Sequence, residues 1–317
     1  MDYQHVPVML KEVLECLDPK PLENFIDGTF GGGGYSSAII EKCQPGIVLA
    51  TDADQLAHDN AKINFNKNKN KYLILVHDNF SNLQEIVQKQ QAKQKNLKFN
   101  GLVLDLGLSG AQLEDRDRGF SFKLLSSPLE MAFGQSAKQT SFEILNTWSE
   151  QEIAKIIWQY GEESFNGPIA KSIIARRKVK NLETVGELVE AIEAALPRSY
   201  INKQKIHFAT KTFQAIRIAT NEELASLEKV LKESLNYLEK GARIVVVSYH
   251  SLEDRIVKDF FRAEAKGCIC PPVFPICQCN HKARLKIINK KIKIPSLEEL
   301  KLNPKSRSAK LRSAVVI

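Results

Sequence analysis

The stretch IDGTFGGGGYSSA, residues 26–38, decides how the chain folds. It joins a short apolar run, residues 24–27, to a segment of helical character that begins near Ser36. The glycines at 31–34 let the backbone approach another group closely, because no Cβ intervenes and positive φ costs little. A strand, a glycine-rich turn and a helix in this order are typical of a nucleotide site, although a purely structural turn has the same pattern.

Apolar runs alternate with helical or polar stretches on both sides of a long strand-free region. Such alternation implies an α/β fold, a parallel sheet with helices on both faces. From Leu108 onward, only helical signals occur for about a hundred residues, among them capping boxes at Ser149 and Thr184. A leucine-rich helix over 224–238, closing at Gly241, then leads back to strands. The predicted strands are 24–27, 47–51, 73–76, 101–106, 243–249, 285–294 and 311–317.

The length of 317 residues suffices for two domains. We expect a nucleotide-binding domain in two parts, 1–112 and 208–317, around an inserted helical domain at 113–207. No apolar run approaches the roughly 20 residues of a membrane span, the first residues lack a basic signal-peptide start, and six cysteines suit a reducing compartment. We therefore expect a cytoplasmic protein with no membrane partner.

The positive charge is unevenly distributed. The net charge is +8, and residues 282–312 hold eleven Lys or Arg against two Glu. Such a segment binds phosphate backbones through counterion release, or it is simply a solvated basic tail. Charge alone does not decide between the two.

The residues after each strand narrow the ligand of the glycine turn. A Walker A loop would end in Gly-Lys-Ser/Thr, but Tyr35, Ser36 and Ser37 follow here, which disfavours a nucleoside triphosphate. Asp52 ends the second predicted strand, where a carboxylate accepts hydrogen bonds from both hydroxyls of a ribose. That arrangement serves NAD and S-adenosylmethionine alike, so a dehydrogenase and a methyltransferase both stay open.

A cofactor that carries an amino acid and no phosphate makes different demands. Its carboxylate needs backbone N–H groups, which Gly33, Gly34 and the helix start at Tyr35 can provide. Its ammonium needs an acid, either Asp27 or Asp105. These features fit S-adenosylmethionine better than NAD.

Eight motifs spread over nearly the whole chain carry a resemblance to a known family. They are HVPVML (5–10), DGTFGGGGYS (27–36), DLGLSGAQL (105–113), RGFSF (118–122), YGEE (160–163), TKTFQAIRIATNEEL (210–224), SYHSLEDRIVK (248–258) and NPKSRSAKLR (303–312). The chain resembles the MraW (RsmH) family, methyltransferases that act on a cytosine 4-amino group in 16S ribosomal RNA. The resemblance implies a class I S-adenosylmethionine-dependent methyltransferase sheet with an inserted all-helical domain. It also implies the small ribosomal subunit as partner, and it leaves monomer or homodimer open.

The resemblance also assigns roles to residues. The implied cofactor contacts are Gly33, Gly34, Tyr35, Asp52, Phe80, Asp105 and Gln112. For the chemistry, Asp105 can accept a hydrogen bond from the cytosine amine or bind the cofactor ammonium, and Ser109 can hydrogen-bond the base. Because positioning alone can lower a barrier by roughly 7–11 kcal/mol, a dedicated strong base is not required.

A base within ribosomal RNA must be unstacked before its amino group can react. Arg118, Phe120 and Phe122 supply a guanidinium and aromatic faces on which displaced nucleotides can stack. The alternative interpretation is that both phenylalanines are core residues beneath a loop.

The segment after the fifth predicted strand offers a further substrate contact. His250 borders the expected crevice, or it only satisfies a hydrogen bond while Ser251 caps the next helix together with Asp254. Arg217 and Lys211 are candidates for phosphate contacts.

Four cysteines near the C-terminal region, Cys268, Cys270, Cys277 and Cys279, have His281 close by in sequence. The pattern is typical of a metal knuckle, but C-x-C is tighter than the usual C-x₂₋₄-C spacing. No metal ligand is assigned from the sequence, and bound zinc stays open.

The chain departs from the family pattern in several places. Tyr35 replaces a histidine, Gly110 a serine and Lys211 an arginine, and LEMAF at 129–133 replaces Leu-Asp-Met-Arg-Met. These changes touch the cofactor loop and the expected RNA surface. An RNA-binding ribosome-assembly factor that has lost methyl transfer is therefore the alternative function.

Overall fold

One seven-stranded sheet is found in the computed structural model, which describes residues 7–65, 67–134, 137–271, 274, 276–279 and 281–317. His5 and Val6 of the first motif lie outside the described residues. The strands are β1 (Phe25–Asp27), β2 (Val48–Asp52), β3 (Leu73–His77), β4 (Phe99–Asp105), β5 (Leu238–Ser248), β6 (Leu285–Ile287) and β7 (Lys310–Val316). Their order across the sheet is β3-β2-β1-β4-β5-β7-β6. Strands β1 to β5 run parallel, and β7 runs antiparallel to both of its neighbours.

The central strands are buried on both faces, which explains their nearly continuous apolar sequences. Successive side chains of a strand point to opposite faces. Val103 and Val245 therefore pack in one core, whereas Leu102, Leu104 and Ile244 pack in the other. The predicted α/β class is confirmed.

Helices connect the strands and form the intervening region. Both predicted capping boxes are confirmed: Glu152 N donates to Ser149 Oγ at 3.2 Å, and Glu187 N donates to Thr184 Oγ1 at 3.3 Å. None of the described helices is long and apolar enough to cross a membrane. The helices are α1 (Leu10–Leu17), α2 (Gly34–Cys43), α3 (Gln55–Asn64), α4 (Lys67–Asn70), α5 (Leu83–Lys93), α6 (Gly110–Glu114), α7 (Ser141–Thr147), α8 (Glu150–Gly161), α9 (Asn166–Arg177), α10 (Val185–Ala195), α11 (Arg198–Ile201), α12 (Thr210–Asn221), α13 (Glu223–Ser234), α14 (Ser251–Glu264) and α15 (Leu297–Leu302).

The chain divides into two compact units. The sheet unit comprises Met1–Gly107 and Leu224–Ile317, and the helical unit comprises Leu108–Glu223. The helical unit is wider than the predicted insertion at 113–207, because α12 buries Phe213 and Ile216 in the helical core. The predicted pattern, one sheet interrupted by a helical insertion, agrees with this division.

Two predicted elements end at different residues in the structure than the sequence predicted. Helix α13 stops at Ser234, and Leu238 starts β5, where it pairs with Phe99 of β4. The prediction of a helix up to 238 with Gly241 as its C-terminal glycine is therefore wrong; Gly241 lies within β5 at φ +89°. The spacing of the last leucines is compatible with a helix, but pairing with β4 decides the outcome. Strand β6 ends at Ile287, well before the predicted end at 294.

Candidate active site

Three aspartates lie at the carboxyl edge of the sheet. Asp27, Asp52 and Asp105 end β1, β2 and β4, and β1 lies between the other two strands and parallel to both. In open α/β sheets, ligands bind outside the carboxyl ends of the strands where the strand order reverses, which here is between β1 and β4. The structure thus brings together the acids that the sequence singled out.

Asp27 holds the start of the glycine turn. It is fully buried, and its carboxylate accepts hydrogen bonds from Ser36 Oγ at 2.7 Å and from Thr29 N at 3.1 Å. Burial raises the pKa of this carboxyl to about 6, even though these hydrogen bonds act in the opposite direction. Each oxygen thus accepts one hydrogen bond from within the turn. Of the two acids proposed for a cofactor ammonium, Asp27 is the more internal.

Asp52 fastens the glycine turn to β2 and keeps unused acceptor capacity. Its Oδ2 accepts from Gly31 N at 2.7 Å, and its Oδ1 accepts from Asp54 N at 2.9 Å. A carboxylate has about four lone-pair sites, so two remain for the hydroxyls of a ribose. Burial raises the pKa of Asp52 to about 6. The sequence predicted the ribose role and missed the bond to Gly31.

The glycines of the turn have unequal roles. Gly31 and Gly33 have φ of +52° and +76°, which favours glycine at both positions. A Cβ on Gly33 would overlap the rings of Phe65 and Phe30, whereas a Cβ on Gly31 would face open space apart from Thr29 O at 4.0 Å. The backbone at Gly31 is therefore open on the side where a Cβ would lie.

The predicted carboxylate-binding N–H groups lie where the turn becomes α2. Gly33 N already donates to Phe30 O at 2.7 Å, so this donor is engaged within the turn. Gly34 and Tyr35 are the first residues of α2, and N–H groups in a first helical turn have no acceptor within the helix. The positive end of a helix favours an anion at that position.

Tyr35 anchors the segment that precedes α1. Its buried hydroxyl donates to the carbonyl of Val8, and burial raises its pKa well above the ordinary tyrosine value. A Cβ on Gly34 would overlap Pro7. The side chain of Tyr35 is thus engaged in packing, which leaves its backbone N–H as the group available to a cofactor.

Phe80 lies beside the end of β1. It starts a short 3₁₀ turn, Phe80–Asn82, after β3, and Asn79 caps that turn by accepting from Ser81 N at 2.8 Å. A Cβ on Gly28 would lie 3.3 Å from Phe80 Cβ. This position suits the predicted contact between Phe80 and an adenine face.

Asp105 forms a hydrogen-bonded pair with Tyr249. The Tyr249 hydroxyl donates to Asp105 Oδ1 at 2.8 Å, and Asp105 N donates to Thr29 Oγ1 at 2.7 Å. Burial raises the pKa of Asp105 to about 7, and the negative charges of Asp27 and Glu253 act in the same direction. Burial and the charge of Asp105 raise the pKa of Tyr249, so that its hydroxyl remains a donor. Sequence reasoning assigned no site role to Tyr249.

Ser109 and Gln112 lie in the helical unit and bond to each other. Gln112 N donates to Ser109 Oγ at 3.1 Å, and Ser109 N donates to Gln112 Oε1 at 3.0 Å. This capping box starts α6. The sequence assigned Ser109 to the base and Gln112 to the cofactor, and it missed that the two side chains cap a helix together.

Comparison with known proteins identifies the family. Residues 2–317 match the MraW methylase family. The chain belongs to this family. It is 44% identical over 315 residues to "Ribosomal RNA small subunit methyltransferase H" of Heliobacterium mobile, covering 99% of each chain. Proteins of the same name from Dehalococcoides mccartyi strain BAV1 and Clostridioides difficile strain 630 are 44% and 40% identical, covering 99% of this chain and 87% and 99% of theirs.

The resemblance drawn from the eight motifs is thereby confirmed.

The remaining predicted site residues of this MraW methylase concern the substrate. His250 is one of them, and it caps α14. Its Nδ1 accepts from Glu253 N at 3.4 Å, and its Nε2 lies 3.0 Å from Glu253 Oε1. The prediction that Ser251 caps this helix with Asp254 is wrong, because the helix already begins at Ser251 and Asp254 pairs with Arg312 at 2.6 Å. A substrate contact of His250 stays a prediction.

The RGFSF motif of the MraW methylase lies in the helical unit and divides between core and surface. Phe120 is buried and stacks on Phe133 at 5.5 Å, so the core interpretation holds for this residue and direct stacking on RNA is wrong. Arg118 lies over the Phe120 ring and donates to Ala132 O at 2.6 Å. Phe122 is only partly buried.

The two basic residues of α12 are engaged within the helical unit. Arg217 forms a two-pronged ion pair with Glu223, at 2.8 and 2.9 Å, and both side chains are largely buried. Lys211 Nζ donates to Glu162 O at 3.3 Å and lies 3.6 Å from Glu163. These ion pairs favour a structural role, and phosphate contacts of Arg217 and Lys211 stay predictions.

A stack of rings in the helical unit escaped sequence reasoning. Phe122 stacks on His207 with centroids 4.4 Å apart and planes at 6°, and His207 stacks on Phe208 at 4.3 Å. His207 is exposed. The dipeptide at 207–208 and Phe122 are distant in sequence, so only the fold brings the three rings together.

Proposed function

We propose that this chain transfers a methyl group from S-adenosylmethionine to the 4-amino group of a cytosine in 16S ribosomal RNA, in the cytoplasm. The observation that carries the proposal is the cluster of Asp27, Asp52 and Asp105 around a glycine turn at the β1–β4 crevice. Family membership and the printed names of the relatives, ribosomal RNA small subunit methyltransferases, support the reaction and the substrate.

Each part of S-adenosylmethionine is proposed to contact particular residues of the sheet unit. Asp52 has two unused lone-pair sites for the ribose hydroxyls, and the start of α2 at Gly34 and Tyr35 suits the carboxylate. The carboxylates at the carboxyl edge of the sheet supply negative charge for the ammonium, and Phe80 is proposed to pack against the adenine face. When bound, the cofactor supplies an electrophilic methyl group on a sulfonium.

The residues at the end of β4 orient the accepting amine. An ionised Asp105 carboxylate accepts an N–H of the cytosine amino group and stabilises the positive charge that develops on its nitrogen. Tyr249 holds Asp105 Oδ1 at 2.8 Å and so fixes the orientation of the carboxylate. Ser109 is proposed to hydrogen-bond the base, and Gln112 to contact the cofactor.

Methyl transfer to small subunits tests the proposal. Subunits purified from cells that lack the corresponding gene are incubated with the full chain and labelled S-adenosylmethionine, and the rRNA nucleosides are analysed by mass spectrometry. We expect N4-methylcytidine to appear. Tight binding to the subunit without transfer of label would instead indicate the assembly-factor alternative, and dinucleotide binding in calorimetry would indicate an oxidoreductase.

The ring stack Phe122–His207–Phe208 is the proposed RNA-stacking surface of the helical unit. An aromatic stack accepts unstacked bases, and each base contributes about 1–3 kcal/mol. His207 lies between the rings of Phe122 and Phe208 and holds the stack together. We expect His207→Ala to weaken RNA binding by about 5- to 100-fold and to leave S-adenosylmethionine affinity unchanged. Fluorescence anisotropy with an rRNA fragment measures the RNA affinity, and calorimetry measures the affinity for S-adenosylmethionine.

A matched control is Trp158→Ala, which removes an exposed ring of the same unit, 58% exposed on α8, that lies outside the stack. We expect its RNA affinity to stay at the parent level. Equal losses in the two variants, or an unchanged affinity of His207→Ala, would contradict a stacking role.

A further inference from the structure

Four cysteine side chains converge in the loop between α14 and β6 of the sheet unit. The sulfur atoms of Cys268, Cys270, Cys277 and Cys279 all lie within 4.8 Å of one another. Cys279 Sγ lies 3.7 Å from Cys268 Sγ and 3.6 Å from Cys277 Sγ. All four are free thiols, and the proposed methyl transfer uses none of them.

The two shortest of these sulfur separations, 3.6 and 3.7 Å, match the edge of a tetrahedral metal–thiolate site. With Zn–S bonds of about 2.3 Å, the edges of a regular tetrahedron of sulfurs are about 3.8 Å long. A disulfide would instead bring two sulfurs to about 2.05 Å. The C-x-C spacing is tighter than usual, but it does not prevent the four sulfurs from converging. Cys268 and Cys270 come from the first half of the loop, and Cys277 and Cys279 come from the second half.

Backbone N–H groups point at three of these sulfurs. Cys270 N donates to Cys268 Sγ at 3.4 Å, Ile269 N to Cys279 Sγ at 3.5 Å and Gln278 N to Cys270 Sγ at 3.3 Å. Hydrogen bonds of this kind orient thiolate ligands and stabilise their negative charge.

The large apolar side chains described in the cysteine loop are exposed. Ile269, Phe274 and Ile276 are 53%, 45% and 74% exposed. Its base is closed by Arg284, which forms a two-pronged ion pair with Glu264 at 2.6 and 2.7 Å. A loop that is closed at its base and whose described apolar side chains are exposed gains order from a metal cross-link at its tip.

We infer that Cys268, Cys270, Cys277 and Cys279 bind one Zn²⁺ ion as a structural four-thiolate site. Four thiolates in tetrahedral arrangement suit zinc, and the absence of an open position suits a structural and not a catalytic ion. His281 is not among the described side chains whose ligand atoms converge at this point, and its Nε2 lies 3.2 Å from Ala263 O. The site is thus formed by cysteines alone.

Metal analysis of the full chain tests the inference. The chain, purified without chelator and without a histidine tag, is expected to contain about one zinc per molecule by mass spectrometry of the elements. Cys270→Ser and Cys277→Ser are expected to retain about a tenth of that zinc or less. Replacing zinc with Co²⁺ is expected to give the strong sulfur-to-cobalt charge-transfer absorption of a thiolate site.

His281→Ala is the matched control, since it removes a potential ligand of the same loop, and we expect it to keep its zinc. Calorimetry with S-adenosylmethionine checks that each cysteine variant remains folded, because the cofactor residues lie elsewhere in the sheet unit. Stoichiometric iron, cysteines recovered as disulfides, or four reactive thiols in a zinc-free folded chain would each overturn the inference. So would loss of zinc from His281→Ala.

Discussion

We expect the Asp52→Ala variant to bind S-adenosylmethionine about 100-fold or more weakly than the parent chain. A hydrogen bond to a charged group contributes about 1.5–3 kcal/mol, and the carboxylate is proposed to accept two from the ribose. The substitution also removes the acceptor of Gly31 N, which loosens the glycine turn. Isothermal titration calorimetry measures the affinity.

Asp52→Asn separates these two effects. Its amide oxygen can still accept from Gly31 N, but one acceptor oxygen and the charge are lost, so we expect an intermediate loss of about tenfold. Asp59→Ala removes an exposed carboxylate of α3 that pairs with Lys62, and it is expected to bind the cofactor like the parent chain. An Asp52→Ala chain that is folded and binds with parental affinity would contradict the proposed site.

The pH dependence of the melting temperature of Asp52→Asn gives an independent check on the burial and raised pKa of Asp52. Burial raises the pKa of Asp52 to about 6 in the folded chain, above the value of about 3.9 in an unfolded one. The protonated carboxyl of Asp52 therefore favours the folded chain over the unfolded one. This stabilisation is complete below the unfolded pKa and is lost as pH rises through about 6. We therefore expect the melting temperature of Asp52→Asn, relative to the parent, to be higher at pH 8 than at pH 5.

The framework of this site was predictable because it depends on local sequence. Asp27, Asp52 and Asp105 each follow a short apolar run, and parallel strands place their carboxyl ends at one edge. The glycine turn was predictable for a similar reason, since Gly31 and Gly33 adopt a positive φ that few other residues tolerate.

The partners of these residues were not predictable, because they come from distant parts of the chain. Tyr249 reaches Asp105 across 144 positions, and the Tyr35 hydroxyl reaches Val8 across 27. The width of the helical unit was missed for the same reason: whether Phe213 packs with one core or another is decided by the fold and not by the period of its helix. Helical spacing also continues from α13 into Leu238, where pairing with β4 prevails.

The Asp105→Asn variant is expected to transfer methyl groups about 100- to 1000-fold more slowly than the parent at saturating S-adenosylmethionine. The amide still accepts a hydrogen bond from Tyr249, so the local structure is retained, but a neutral group cannot stabilise the charge that develops on the amine. Single-turnover transfer to small subunits measures the rate. Unchanged turnover at saturation with a weakened cofactor affinity would contradict this role and assign Asp105 to the ammonium.

The pH profile distinguishes a charged acceptor from a residue that only shapes the pocket. Because the pKa of Asp105 is about 7, the ionised form that accepts an N–H increases as pH rises through that value. Transfer by the parent chain should rise over the same range, and the profile of Asp105→Asn should be flat there. In Tyr249→Phe the carboxylate loses a donor that lowers its pKa, so the rise should move to higher pH. A profile that Tyr249→Phe leaves in place would mean that a different group titrates.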